Sequence, residues 1–393
     1  MKILITDGFE KEGIEKLIED GFDVNNIKLT PEELISQISQ YDALIVRSAT
    51  KVTKEVINAA EKLKIIGRAG VGVDNIDLNT ANENGIIVKF APSGATISVS
   101  ELTIGMMLDI SRKITQSSYA MKHQGKWIKS NGYELFEKTI GIIGCGRIGK
   151  RVAYTAKHGF DMKVLGRDAI RNSESGIDYV GLDELLEKSD YITIHVPKAE
   201  KPIIGSNEFV KMKKTAYLID VSRGGNVDEN DLYNALKNNV IAGAAKDVFV
   251  REGKKFEEDY NAKSIPLLDL DNFLPLPHLG ASTYEGQKRT AIEMVNVISD
   301  YLRYGDSKNA VNIKKKEKRE EVTHNLFITH KDAPGVFGAI STAFGKHELN
   351  IIEQKTEYLK NKHGLSVYLL ENPVSDDLIN EIKSIKDVYF VKK

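Results

Sequence analysis

The sequence predicts an α/β protein: two doubly wound parallel-sheet domains, followed by a small C-terminal unit of ferredoxin-like βαββαβ order. Three observations predict it. Short β-rich apolar runs alternate with amphipathic helical runs through most of the chain, the pattern of a parallel sheet. The glycine-rich segment Gly144-Cys145-Gly146-Arg147-Ile148-Gly149 follows an apolar strand and opens a helix, and it starts so late that a whole domain must precede it. From His324 to Lys393 the order changes to strand, helix, strand, strand, helix, strand.

The elements follow in chain order. Lys2–Thr6 (KILIT), Ala43–Val46 (ALIV), Leu63–Gly67 and Gly85–Val88 are short apolar runs and read as strands. Pro31–Ser39 and Lys54–Lys62 read as helices between them. A long helical pattern from about Ser98 to Lys122 sets Leu102, Met106, Ile110 and Ile114 at a spacing of four, suited to a bridge between domains or a subunit interface. From Lys138, TIGIIG is a buried-type strand, and a helix follows through His158. MKVLG, YITIHV, AYLIDV and IAGAAKDV are further strands, separated by helical pieces such as Leu182–Lys188 and Glu229–Asn238. After Ser282 a long helix runs to about Arg303 and can return the chain to the first domain. Lys314–Glu321 (KKKEKREE) is charged throughout; acidic residues interrupt the basic ones, so it reads as a solvated linker and not as a nucleic-acid patch. Leu326–His330, Val336–Lys346, Ile351–Tyr358, Leu365–Leu370, Asp376–Ile385 and Val388–Val391 make up the last unit.

Composition narrows the function classes. A chain of 393 residues exceeds a single core. A formal net charge of −1 provides no basic field to draw nucleic acid or an anionic membrane. One cysteine, Cys145, excludes an internal disulfide. The start MKILITDGF has neither the apolar core nor the cleavage site of a signal peptide, and no run approaches the ~18 apolar residues of a membrane span, so the cytoplasm is expected.

In GIIGCGRIGKRVA the glycines divide the work of a dinucleotide site. Gly144 permits the tight turn after the strand, Gly146 admits the pyrophosphate to the backbone, and Gly149 lets the helix approach the sheet. The amides near Arg147 and Ile148 then face the phosphates with the positive end of the helix dipole. The next strand ends at Asp168, 19 residues after Gly149, where a ribose-binding acid belongs. Its carboxylate disfavours a 2′-phosphate, so NAD is expected over NADP, although Arg167 and Arg171 lie close enough in sequence to offset the repulsion. Cys145 reads as a small packed residue.

Three later segments carry acid–base chemistry: DVSRGGNVDE with Arg223, AAKDVFVREG with Asp247 and Glu252, and LPHLGAST with His278. A guanidinium can grip a carboxylate in bidentate fashion and polarise a neighbouring keto group. An imidazole can exchange the hydroxyl proton near neutral pH, and a carboxylate beside it holds the tautomer and raises its pKa. With a nucleotide fingerprint, this set matches hydride exchange between a nicotinamide and a 2-keto acid, with no metal required.

GIIGCGRIGKRVA, SRGGNVDENDL, AAKDVFVREG and LPHLGAST, in that order, resemble the D-isomer-specific 2-hydroxyacid dehydrogenase family over about Met1–Val311. The resemblance implies that Arg223 binds substrate, Glu252 tunes the base and His278 is the general acid/base, with Asp247 facing the nicotinamide amide. It implies a substrate-binding domain of residues 1–92 and 282–311 and a Rossmann-type NAD-binding domain of residues 93–281. His195, in IHVP, is matched in the family and is expected to form part of the cofactor wall without a catalytic role. Arg68–Asp77 (RAGVGVDNID) resembles the substrate loop, whose small residues Ala69, Gly70 and Gly72, around Val71, would expose amides to a carboxylate.

Arg47 and Arg68 are candidates for a second anionic group, which suggests a phosphorylated substrate; the resemblance of the whole architecture, last domain included, implies 3-phosphoglycerate, oxidised to 3-phosphohydroxypyruvate on the route to serine. Lys129 and Ser93 stand where relatives often have Arg and Asn. Beyond a charged linker at residues 312–322, residues 323–393 resemble an ACT regulatory domain, with Pro334-Gly335 turning into its first helix. His330, Asp332 and Asn350 occupy the positions that bind serine in sensitive members, but an Asn is usual where Asp332 stands, and Asp lacks the amide donors. Serine is therefore a candidate effector, and a homodimer or homotetramer is implied. Two other readings stay open: reduction of hydroxypyruvate or glyoxylate, and an NAD-sensing corepressor-like interaction protein.

Overall fold

Parallel strands build the first 313 residues, as the alternation of apolar and amphipathic runs predicts. The computed structural model describes residues 1–171, 176–313, 324–359 and 363–393. They divide into two units, Met1–Ile313 and Lys314–Lys393.

The first sheet contains β1 (Lys2–Ile5), β2 (Asp23–Asn26), β3 (Ala43–Val46), β4 (Ile65–Arg68) and β5 (Ile87–Phe90), in the order β2-β1-β3-β4-β5. All its pairings are parallel. Both faces are covered, so the central strands read as unbroken apolar runs. Leu4, Leu44, Ile66 and Val88 enter one core. Ile3, Ile5, Ile45 and Ile65 enter the other, where Met294, Val295 and Ile298 of the helix Tyr284–Tyr304 pack on them. That late helix does return to the first sheet. The polar edge strand β2 (DVNN) is mostly exposed and was not expected, because an edge strand needs no apolar pattern.

The second sheet contains β6 (Thr139–Ile143), β7 (Lys163–Arg167), β8 (Asp178–Tyr179), β9 (Tyr191–Ile194), β10 (Tyr217–Asp220), β11 (Gly243–Lys246) and β12 (Phe273–Pro275), all parallel, in the order β12-β11-β10-β9-β6-β7-β8. The strand order reverses between β6 and β9, the switch point at which doubly wound sheets open a crevice at their carboxyl ends. Strands β8 and β12 are too short to leave a periodic signal.

The single helix expected over Ser98–Lys122 is two helices, Thr96–Arg112 and Ile114–Gln124. Lys113 takes a left-handed conformation (φ +54°) between them. The Asp109 carboxylate accepts the Thr115 N–H (2.8 Å) and the Thr115 hydroxyl, a local alternative to the main-chain ladder that starts the second helix. The helix expected over Lys54–Lys62 ends early, at Asn58.

The second unit has the expected βαββαβ order. Strands β13 (His324–Lys331), β14 (Ile351–Leu359), β15 (His363–Leu370) and β16 (Val388–Lys392) form an antiparallel sheet in the order β14-β15-β13-β16. The helices Val336–Lys346 and Asp376–Ser384 close its core through Ile340, Phe344, Leu378 and Ile382. Most of the charged stretch, from residue 314 to 323, lies outside the described residues. No helix among the described residues is long and apolar enough to cross a membrane.

Ile340 is fully buried between helix and sheet in this unit. Ile340→Ala is expected to cost about 2–5 kcal/mol, read as faster hydrogen exchange in β13 and β15. Unchanged protection would contradict the packing described.

Candidate active site

Every candidate group of the first unit lies at or just beyond the carboxyl end of a parallel strand, or on a loop that such a strand opens. The glycine loop follows β6, and the residues present fit a dinucleotide there. Gly144 has φ +94°, and a Cβ on it would sit 2.7 Å from the His195 carbonyl oxygen. A Cβ on Gly149 would lie 2.1 Å from the Gly144 carbonyl oxygen, so helix and loop meet at contact. Gly146 has open space where its side chain would be, and no side chain caps the helix Arg147–Phe160 that starts there. The positive end of this helix is thus left open to an anion.

Asp168 follows β7. Its Oδ2 accepts the Cys145 N–H (2.7 Å) and its Oδ1 the Ile170 N–H (2.9 Å), which ties the glycine loop to the second strand. Each oxygen keeps a further lone pair for a ribose hydroxyl. Arg167 turns its guanidinium to the Asp168 carbonyl (3.1 Å). Cys145 is buried, and burial together with the Asp168 charge pushes its thiol up to about 11, so it is an inert packed residue. Both ring nitrogens of His195 are buried without a partner among the described residues, and burial pushes the imidazole down to about 3. It is a neutral ring beside the glycine loop.

Arg223, Asp247 and His278 follow β10, β11 and β12. His278 adopts φ +55°, an uncommon conformation for a residue with a side chain. Asp247 holds it there: its buried carboxylate accepts the N–H groups of Leu279 (2.7 Å) and Gly280 (2.8 Å), one and two residues beyond. Burial lifts the Asp247 carboxyl, and those two hydrogen bonds oppose the rise.

His278 Nδ1 lies 2.9 Å from Glu252 Oε2, and Glu252 Oε1 accepts the Phe249 N–H (3.0 Å). Burial would raise the Glu252 carboxyl, but the bonds from His278 and Phe249 hold it below its ordinary value. As an ionised acceptor it fixes a proton on Nδ1. The Glu252 hydrogen bond raises the His278 pKa above 6.5; burial and Arg223 oppose it, while the charges of Glu252 and Asp247 reinforce it.

Arg47 follows β3 and Arg68 ends β4, on the first sheet. The two sheets meet at Arg223: its Nε donates to Asp74 Oδ2 (3.1 Å) and its Nη1 to the Ser222 carbonyl (2.7 Å). A Cβ on Gly72 would fall 2.1 Å from Arg223 Nη2, so a side chain there would displace the guanidinium from its present place. Gly70 lies against Arg68 in the same way, and Val71 between them is exposed. Burial, then the charges of Arg223 and Arg47, lower the Arg68 pKa to about 10, and its Nε is buried without a partner among the described residues. Asp74 was missed in the sequence because its partner is 149 positions away. Ser93 and Gly94 donate their N–H groups to Glu293 (2.8 and 2.9 Å), while Lys129 is exposed.

In the second unit the three proposed effector residues have different surroundings. His330 is fully buried, donating from Nδ1 to the Lys331 carbonyl (2.9 Å) and accepting from the Ser366 hydroxyl at Nε2 (2.9 Å). Asp332 is exposed, and Asn350 donates to Glu371 (3.2 Å).

Residues 104–280 match the model of the D-isomer specific 2-hydroxyacid dehydrogenase, NAD binding domain. A D-3-phosphoglycerate dehydrogenase of Archaeoglobus fulgidus is 37% identical over 98% of this chain and 73% of its own length. The chain belongs to the D-isomer-specific 2-hydroxyacid dehydrogenase family. The D-3-phosphoglycerate dehydrogenase of Methanocaldococcus jannaschii is 44% identical over 80% of the chain, which spans only 60% of that relative's length. The NAD⁺-bound structure of 3-phosphoglycerate dehydrogenase from Entamoeba histolytica superposes with a TM-score of 0.67 at 29% identity, over 80% of this chain and 99% of that one. In this member of the family the Arg223, Glu252 and His278 groups lie close enough to act on one another's charges, and Arg68, from the other sheet, feels the charge of Arg223.

Glu252→Gln removes the anion that raises His278, so the imidazole should lose its proton at lower pH. NMR titration of the His278 ring should show the midpoint falling in the variant, and an unmoved midpoint would contradict the assigned cause.

Proposed function

We propose that this chain catalyses NAD-linked interconversion of D-3-phosphoglycerate and 3-phosphohydroxypyruvate, the first step of phosphorylated serine synthesis. One observation carries the substrate: half-buried Arg68 has a buried Nε without a partner among the described residues, and it is crowded by the charges of Arg47 and Arg223, which Asp74 and Asp7 offset only in part. Like charges assembled in a desolvated cleft favour a ligand bearing more than one anionic group. Arg223 and the Gly70–Gly72 amides would take the carboxylate, and Arg68 with Arg47 the phosphate. The names of the relatives above agree with this substrate.

A nicotinamide held at the glycine loop would supply the hydride to C2 of the keto acid, or take it up from the hydroxy acid. In the reductive direction His278, charged and held by Glu252, gives its Nε2 proton to the carbonyl oxygen; in the oxidative direction the neutral ring takes the hydroxyl proton. Arg223 polarises the carbonyl and orients the carboxylate. Asp247 keeps the His278 loop in place, and its remaining acceptor capacity suits a nicotinamide amide. Asp168 favours NAD over NADP, because its carboxylate would meet a 2′-phosphate.

In this reading residues 1–92 and 282–311 are the substrate-binding domain, residues 93–281 the NAD-binding domain, and residues 323–393 an ACT regulatory domain. An amino-acid effector such as serine would be held by Asp332 and Asn350, because both His330 ring nitrogens are already used. Exposed Ile114, Tyr119, Met121, Trp127, Ile128 and Phe136 form an apolar stretch suited to a homodimer or homotetramer contact.

The test is the initial rate of NADH loss with 3-phosphohydroxypyruvate, hydroxypyruvate, glyoxylate and 2-oxoglutarate in parallel. The phosphorylated acid should give the highest kcat/KM, and NADH should outperform NADPH. Arg68→Ala should raise the KM for the phosphorylated acid about 10- to 100-fold, the loss of one charge-assisted hydrogen bond, with little effect on hydroxypyruvate. Equal use of an unphosphorylated acid by the wild type would overturn the substrate and keep the reaction class.

A further inference from the structure

Beneath the cleft lies a charge pair that the proposed reaction does not use. Asp220 ends β10 and Lys246 ends β11, side by side in register. Both are completely buried, with Lys246 Nζ 3.2 Å from Asp220 Oδ2 and 3.8 Å from Glu229 Oε1. The Lys246 ammonium also lies 5.8 Å from the centre of the Phe249 ring. A well-packed apolar pair at such a place is commonly no less stable than an ion pair, so folding alone gives weak reason for two desolvated charges. What distinguishes this pair is what its members hold.

Asp220 Oδ1 accepts both the Ser222 N–H (3.1 Å) and the Ser222 hydroxyl (2.6 Å), and the same hydroxyl accepts from Asn226 (3.0 Å). The Ser222 carbonyl in turn accepts from Arg223 Nη1 (2.7 Å). On the other side, Glu229 Oε1 accepts the Val250 N–H (2.9 Å), next to the Phe249 N–H that holds Glu252. The two loops also touch directly, since a Cβ on Gly224 would lie 1.9 Å from the Phe249 carbonyl oxygen. One cation therefore sits between two carboxylates, and each carboxylate anchors the loop of a different site residue.

We infer that Lys246 is a positioning residue which, through Asp220 and Glu229, sets Arg223 and Glu252 in register with each other. This inference rests on the dehydrogenase reading only for its kinetic consequence. Without the ammonium, buried Asp220 is left uncompensated near the partly exposed Glu229, and the loops must shift to separate or hydrate the two carboxylates.

The test compares wild type, Lys246→Met and the double variant Lys246→Met/Asp220→Asn, each checked for folding by thermal melt. In the double variant the Asn oxygen still accepts from Ser222 and no buried charge stands alone beside it. Lys246→Met should raise the KM for the 2-keto acid roughly 10- to 100-fold, as small misplacements of an orienting group do, with the NADH dissociation constant from fluorescence titration unchanged. It should also lower the His278 midpoint in an NMR titration, and the double variant should restore both values most of the way.

A folded Lys246→Met protein with wild-type KM and an unmoved His278 midpoint would overturn the inference. So would loss of NADH binding in step with substrate binding, the mark of a general structural defect. If Lys246→Met does not fold, Glu229→Ala, which removes the Val250 anchor and leaves the Lys246–Asp220 pair intact, decides by the same two readouts: a raised KM and a lowered His278 midpoint with NADH binding unchanged support the inference, and wild-type values overturn it. If the wild type turns over no 2-keto acid, the proposed function fails, and the His278 titration still decides this inference.

Discussion

The ion pair between Arg223 and Asp74 is the contact on which the arrangement of the cleft depends. It joins a loop at the carboxyl end of the second sheet to a loop at the carboxyl end of the first. Parallel sheets present all their strand ends on one edge, so two such sheets can gather many side chains at one place only if those edges face each other. Asp74 and Asp7 offset part of the repulsion among the guanidiniums of Arg47, Arg68 and Arg223, and both charges support the protonated Arg68.

The His278 side of the proposed site follows a different logic. A half-exposed histidine would titrate in the ordinary range if left alone. Here a carboxylate held ionised by His278 itself and by the Phe249 amide bonds Nδ1 and raises the ring. Asp247 then fixes the backbone on which the ring stands, through two amides and no contact with the imidazole. Glu252 therefore sets the tautomer and Asp247 the backbone position, while the charges of both raise the ring.

The elements that carried local patterns were legible in the sequence. Strands such as Ala43–Val46, the glycine loop, the helix Val336–Lys346 and the βαββαβ order each follow from neighbours in the chain. The groups of the reactive cluster were legible too, because Arg223, Glu252 and His278 stand in recognisable segments. What was hidden depends on distant partners. Asp74 looks like one more loop acid until Arg223 arrives from 149 positions on, and Lys246 looks out of place in an apolar strand until Asp220 lies beside it. The break at Lys113 and the polar edge strand Asp23–Asn26 were hidden for other reasons: a side chain competed with the helix ladder, and an edge strand needs no apolar run.

The most direct measurement of the central claim is a single turnover followed by stopped flow. Enzyme loaded with NADH is mixed with excess 3-phosphohydroxypyruvate, and the nicotinamide absorbance is recorded for wild type and His278→Ala. The account predicts one exponential loss of NADH in the wild type, slowed by about two to four orders of magnitude in the variant. Equal rates in the two proteins, or stable NADH in a wild type that demonstrably binds it, would contradict it.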